Sequence, residues 1–303
     1  MKTLLRMIFL SLLIVIVMGL GTYARAEYAA PEKPAAQAEP AKPAGKTIPE
    51  DLTADLNVPL YSQYIWRGYE LSRDSFVAMP TMTVGYKGFA LNFWADLDTR
   101  YAGTPAKEFK LQETDITATY SNSYKGPLPW ALNYTLGWIL YDYQSPQINV
   151  ASNPPTGQQD TIFLNKQSKN QEIFVTLGLD TILKPTFSFY DQIQTGQAQY
   201  FLLGISHSIA VYKDWSLDLA GSVSYLNNHS QAAVKPISNF HDGNVSAGLK
   251  FPVNNYLSIK PNVQVSFPLS KDASQEIMQN SSSLFHHRQD TFFYGGIIID
   301  LAI

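Results

Sequence analysis

The residues able to do chemistry in this 303-residue chain are scattered along it rather than grouped. There is no cysteine, which excludes disulfides, thiolate metal sites, thiol nucleophiles and a lipid anchor on an N-terminal cysteine. Of five histidines, His207 stands in Ser206-His207-Ser208 and His241 in Asn239-Phe240-His241-Asp242-Gly243. A hydrolase needs serine, histidine and an orienting polar group within hydrogen-bond reach, and the chain has no G-x-S-x-G motif. His207 falls on the apolar side of its segment, and His241 and Asp242 are expected in or beside a long loop. His286 and His287 with Asp290 lack the spacing of a closed metal site and read as a polar loop tip. No glycine-rich phosphate cradle occurs. The expectation is a protein without catalytic residues, metal or cofactor. The chemistry that remains is charge, placed at every second residue of short apolar segments.

Those segments are elements of period two. In Ala90–Asp98, Leu91, Phe93, Ala95 and Leu97 share one side, and Asn92, Trp94, Asp96 and Asp98 the other. In Glu113–Ser121, Ile116, Ala118 and Tyr120 oppose Glu113, Asp115, Thr117 and Thr119. Gln171–Asp180 sets Ile173, Val175, Leu177 and Leu179 against Glu172, Thr176 and Asp180. Ser216–Tyr225 sets Leu217, Leu219, Val223 and Tyr225 against Asp218, Ser222 and Ser224. Later segments add Lys250 and Lys260 to the polar side. About twelve such segments start near residues 54, 76, 89, 110, 131, 170, 183, 197, 215, 243, 256 and 291; a total of ten or fourteen is the alternative, with the count most open over residues 183–212. Most have the ~9–12 residues that let a tilted strand cross a bilayer. No helical period of useful length is visible beyond the N-terminus.

The N-terminus carries an address. Lys2 and Arg6 precede an apolar run from Met7 to about Leu20, and Ala24 and Ala26 fit an A-x-A cleavage site. Residues 1–26 read as a signal peptide cut after Ala26. Residues 27–52 are Ala, Pro, Lys and Glu with almost no large apolar side chain, which reads as a disordered periplasmic tether. Residues 53–303 form one domain. A net charge of −3 gives no basic surface for nucleic acid. Tight turns such as Tyr86-Lys87-Gly88 alternate with long connections such as residues 145–169, 227–241 and 269–289. Short turns at one end and long loops at the other are the layout of an outer-membrane barrel. The fold expected is an all-β transmembrane antiparallel barrel of about twelve strands, exported to the outer membrane of a Gram-negative bacterium. Its partners are the lipid bilayer, the assembly machinery that inserts barrels, and small hydrophilic solutes or ions.

A barrel wall sorts the side chains. Tyr64, Trp66 and Trp138 are expected to face lipid near the interfaces. Arg67, Asp96, Glu113, Asp115, Glu172, Asp180, Asp218, Lys250 and Lys260 are expected to line the lumen, with Arg67 facing the Glu113–Asp115 pair. An acidic excess in a constriction favours cations. Tyr61–Ser75 followed by Pro80–Asp98 resembles the opening of the TorF (Gcw_chp) family of bacterial outer-membrane porins, and Glu113–Tyr124, Tyr134–Pro146, Gln171–Asp180 and Pro185–Gln192 resemble its next strands in the same order. The resemblance covers roughly residues 53–303 and implies an outer-membrane pore. The expected function is a narrow cation-preferring pore for small solutes. The alternative is a non-conducting structural or adhesive barrel acting through its long loops.

Overall fold

The computed structural model describes residues 51–99, 109–127, 129–143, 169–194, 198–228 and 236–302. The expected signal peptide and nearly all of the expected tether lie outside the described residues, as do most of the connections 99–108 and 145–169 and residues 229–235 of the connection 227–241.

Among the described residues, fifteen β-segments run in chain order. They are β1 (Leu52–Tyr61), β2 (Ile65–Trp66), β3 (Tyr69–Glu70), β4 (Val77–Ala78), β5 (Thr81–Tyr86), β6 (Phe89–Asp98), β7 (Lys110–Tyr124), β8 (Leu132–Tyr143), β9 (Lys169–Leu179), β10 (Thr186–Gln192), β11 (Ala198–Tyr212), β12 (Trp215–Asn228), β13 (Ile237–Pro252), β14 (Leu257–Pro268) and β15 (Phe292–Ala302). One helix, α1 (Lys271–Phe285), stands between β14 and β15. All of them except β2, β3 and α1 belong to one antiparallel sheet, in which each strand pairs with its neighbours in sequence. β4 and β5 are two halves of one wall strand, interrupted at Met79-Pro80, so the wall has twelve strands. Pro80 cannot donate to a ladder, and the interruption sits where a proline is tolerated. The sheet closes through β1 and β15, in register from Asp55 opposite Ala302 to Tyr61 opposite Gly296. Closure removes both sheet edges, which is what a wall in lipid requires.

Alternation decides the two faces. On β5, Met82, Val84 and Tyr86 are exposed between half-buried Thr81, Thr83 and Gly85. On β6, Phe89, Leu91 and Phe93 are exposed while Asp96 and Asp98 are fully buried. On β11, Leu203, Ile205, Ile209 and Val211 are exposed. Exposed apolar residues at every second position around a closed wall form a lipid-facing surface. The turns Lys87-Gly88 and Lys213-Asp214 sit at one end, with the start of β1 and the end of β15. Lys87 and Gly88 both have positive φ, 50° and 84°, as a two-residue hairpin of the twisted kind needs.

The inside differs from the expected open lumen in its outer half, toward the long connections. Residues 62–76 do not continue the wall. They fold inward around the small β2–β3 hairpin, where Ile65 pairs with Glu70 and Trp66 with Tyr69. The connection 269–289, expected as a loop, is mostly α1, and the helix packs on β13, β14 and β3. Ser270 caps its N-terminus by accepting from the Ala273 N–H. The buried face of α1 is Ala273, Glu276, Ile277, Asn280, Ser281 and Leu284, a helical spacing of threes and fours. Hairpin and helix meet the inward side chains Ile139, Tyr141, Phe174, Tyr190, Tyr200, Phe292 and Tyr294 in an aromatic core inside the barrel. This is a second core, set within a wall whose outer face is apolar.

Candidate functional site: the charged lumen and its plug

Arg67 is the centre of the plug. Its backbone is left-handed, with φ 49°, and Gly68 follows at 83°, which makes the tight reversal between β2 and β3. A Cβ on Gly68 would meet Asp242 and Ile277, so the reversal lies close against the wall and the helix. The guanidinium donates from Nη1 to Glu172 Oε1 at 3.0 Å and from Nη2 to Oε2 at 2.7 Å. Tyr141 donates to the same Oε2 at 3.0 Å. The guanidinium also lies 4.6, 4.7 and 4.4 Å from the rings of Trp66, Tyr190 and Tyr200. A planar cation with five fixed donors suits this combination of two-pronged pairing and stacking; a lysine would not.

The expected site residues divide by what they meet. Arg67 is inside the barrel but pairs with Glu172 rather than with Glu113 and Asp115, because the inward hairpin carries it across to β9. Tyr64 and Trp66 are corrected: both are inside, not at the lipid interface. Tyr64 packs with Val77, Met79 and Leu284, its ring 5.6 Å from Trp94. Trp66 meets Tyr141 edge-on at 6.2 Å. Alternation within a segment that leaves the wall says nothing about lipid. Asp180 is also corrected. β9 ends at Leu179, and Asp180 is exposed in the turn that leads to β10, where its N–H reaches Ala131 O at 3.0 Å. Trp138 is on the outward side, opposite exposed Ile173, and its ring N–H donates to Gln171 at 3.0 Å.

Asp96, Glu113 and Asp115 lie on the inward side of β6 and β7. Asp96 is directly opposite Glu113, and Asp115 opposite Trp94. Asp96 has no exposed surface, and among the described residues neither of its carboxylate oxygens has a hydrogen-bond partner. One oxygen each of Glu113 and Asp115 is in the same position. Among the described residues, none of the three is within ion-pair distance of a cation. In the half of the barrel toward the short turns, the charges pair across the wall. Lys260 meets Asp218 at 3.6 Å and Lys250 meets Asp300 at 3.8 Å. Thr81, Thr83 and Asn92 add hydrogen-bonded polar surface on the inner wall, and Tyr61 with Asn262 and Gln264 continues it toward the plug.

His241 and Asp242 are a further correction, since they belong to β13 and not to a loop. The register slips between Val223 and Tyr225 of β12, so two residues of β13 oppose Ser224. A bulge of this kind re-aims side chains, and both His241 and Asp242 are buried inside. Asp242 accepts from Ser224 at 2.6 Å and from Tyr200 at 3.0 Å. His241 Nδ1 is 3.0 Å from Asp242 and its Nε2 is 3.4 Å from Glu276 of α1. The serine here bonds the carboxylate and not the imidazole, so the set lacks the serine–histidine contact of a nucleophile. Spacing gave no notice of this network. Its one signal was His-Asp-Gly inside a period-two stretch, where a bulge is a known use of glycine and a polar pair. His207 is on the outward side, its Nδ1 2.8 Å from Ile182 O. His287 meets Gln289 and Asp290 meets Ser274. Among the described residues, no group of three or more His, Cys, Asp or Glu is placed to hold a metal ion.

No family model matches the chain, and no curated relative matches it by sequence. Solved structures are similar at low identity. The β domain of the Bordetella autotransporter BrkA has a TM-score of 0.41 at 10% identity, over 83% of this chain and 98% of that one. Outer membrane phospholipase A from Escherichia coli has a TM-score of 0.39 at 10% identity, over 83% and 97%. Pseudomonas putida OprB has a TM-score of 0.33 at 12% identity, over 75% of this chain and 59% of that one.

Proposed function

We propose that this chain is an outer-membrane channel of the porin type for small hydrophilic solutes, cation-preferring, and closed in the present conformation by the β2–β3 hairpin and α1. The observation that carries the reading is the row Asp96, Glu113 and Asp115 on the inner wall, with oxygens that no donor among the described residues reaches. A purely structural filling would leave such carboxylates at a cost of several kcal/mol each. Water and cations drawn through the lumen offset part of that cost and make the row a selectivity element. The paired lysines and acids in the half toward the short turns leave that half polar without adding net positive charge. The apolar outer face supports placement in a bilayer, and the N-terminal address supports export to the outer membrane.

A second reading is a non-conducting barrel. The Arg67–Glu172 pair favours it, because the plug is held by a buried, two-pronged contact. Planar-bilayer recording of the refolded full chain under a salt gradient separates the two. Stepwise currents with a cation-selective reversal potential are expected. A demonstrably folded barrel that passes no current, with wild-type Arg67 or with Arg67→Ala, overturns the channel reading.

A further inference from the structure

Helix α1 is joined to the wall through groups that gain or lose protons. His241 is fully buried, with Nδ1 3.0 Å from Asp242 on its own strand and Nε2 3.4 Å from Glu276 on α1. Both ring nitrogens therefore face carboxylate oxygens. A neutral imidazole has one N–H and one lone pair, so it would turn a lone pair toward one carboxylate; only imidazolium presents a proton to both. The other groups around the ring come from each element packed there. Tyr69 of β3 lies 5.1 Å away, ring to ring. Ser224 of β12 and Tyr200 of β11 both donate to Asp242. Arg67 lies over the Tyr200 ring at 4.4 Å and is committed to Glu172. β14, the remaining neighbour of α1, carries its one charge, Lys260, in the half toward the short turns, where it meets Asp218 at 3.6 Å. Farther along the helix, Ser281 donates to Glu70 of the hairpin at 2.7 Å.

We infer that the buried His241–Glu276 contact is a proton-operated latch, which holds α1 inside the barrel while His241 is charged and lets the helix go when the proton leaves. The inference rests on the channel reading for its consequence, though the latch itself does not need a current. Loss of the proton takes the cation away from buried Glu276, beside which Tyr69 offers only a neutral phenol, and removing one charge of a buried pair is the costly way to break it. Leaving the lumen hydrates Glu276 and removes that cost. The latched form keeps the proton and the released form gives it up, so the latch is complete at low pH and weakens as pH rises.

The test uses the full chain in lipid vesicles, with a nitroxide on Lys271→Cys. The chain has no other cysteine, and Lys271 is exposed at the start of α1. Between pH 6 and 10 the label should pass from immobile to mobile, the ratio of released to latched helix rising about tenfold per pH unit, as one linked proton requires. In Glu276→Gln the profile should flatten, since a neutral amide does not need imidazolium opposite it. In His241→Arg, whose cation persists, the label should stay immobile throughout; this second variant serves if the first fails to fold. A wild-type label that does not respond to pH overturns the latch, as does an unchanged profile in either variant. Currents recorded on the same samples keep the two claims apart. A label that mobilises in a barrel that never conducts supports the latch and overturns the channel. Currents from a barrel whose label ignores pH do the reverse.

Discussion

Arg67 and Glu172 stand 105 residues apart and meet through two parallel hydrogen bonds of 3.0 and 2.7 Å. The pair joins the inward hairpin to β9 and is almost shielded from solvent, with side-chain exposures of 15% and 4%. Removing one partner of a buried pair strands the other, typically at about 3–5 kcal/mol. Arg67→Ala should therefore lose the plug before the wall. The expected result is a larger and more frequent current than wild type in planar bilayers, with the barrel still resistant to detergent unfolding on a gel. Glu172→Gln, which keeps one acceptor and the Tyr141 contact, should show the same change to a smaller degree.

The row Asp96, Glu113 and Asp115 makes two opposite demands that one variant can separate. A buried carboxylate without donors destabilises the fold, whereas the same charge draws cations into a pore. Asp96→Asn should raise the thermal midpoint, because neither carboxylate oxygen has a protein donor to lose. It should also move the reversal potential in a tenfold salt gradient toward zero. A lower midpoint would mean that water or a cation in the folded lumen holds the ionised carboxylate. An unmoved potential would remove the row as a selectivity element.

The parts that were legible in the sequence are those where lipid and lumen force a period of two. β6, β7 and β12 start at Phe89, Lys110 and Trp215, at or beside the expected 89, 110 and 215, because each carries charge or hydroxyl on one side and Leu, Ile or Phe on the other. The plug was not legible, for a physical reason. A filled lumen is buried, so its aromatic residues have the same type as lipid-facing ones, and Tyr64 and Trp66 read as interface residues. α1 was hidden by its composition. Its buried positions recur at helical spacing, yet Glu276, Asn280 and Ser281 are polar, Glu276 facing His241 and Ser281 facing Glu70 inside a barrel. Only Ser270, a good cap three residues before Ala273, hinted at it. The Arg67–Glu172 contact joins segments too far apart for any spacing rule to connect.

Barrel closure depends on a close approach that one residue permits. Gly296 of β15 lies opposite Tyr61, and a Cβ there would run into the Leu60 carbonyl on β1. That neighbour is backbone, which cannot move aside as a flexible side chain would. Gly296→Ala should disturb the β1–β15 seam and leave two sheet edges. Refolding into detergent should give a lower yield of the compact, heat-modifiable form and more aggregate. Gly221→Ala is the control, since the nearest atom to its Cβ would be Asn244 O at 3.7 Å, an ordinary contact. Equal yields from the two variants would show that the seam tolerates the added methyl.

Glu70 sets a second pH dependence in the plug, apart from the wall. Burial raises its pKa above the usual glutamate value, against the opposing pull of the Ser281 hydroxyl and of Arg73. A raised value means that the folded plug binds the proton more tightly than the unfolded chain does. The stabilisation is then complete below the ordinary value of about 4.3 and is lost as pH rises through the folded one. Glu70→Gln removes the titration and keeps an acceptor for Ser281. Its thermal midpoint relative to wild type should therefore increase from pH 4 to pH 7, where the wild-type carboxylate is buried and charged. A difference that stays constant over that range would show that Glu70 keeps its ordinary affinity for the proton in the folded plug.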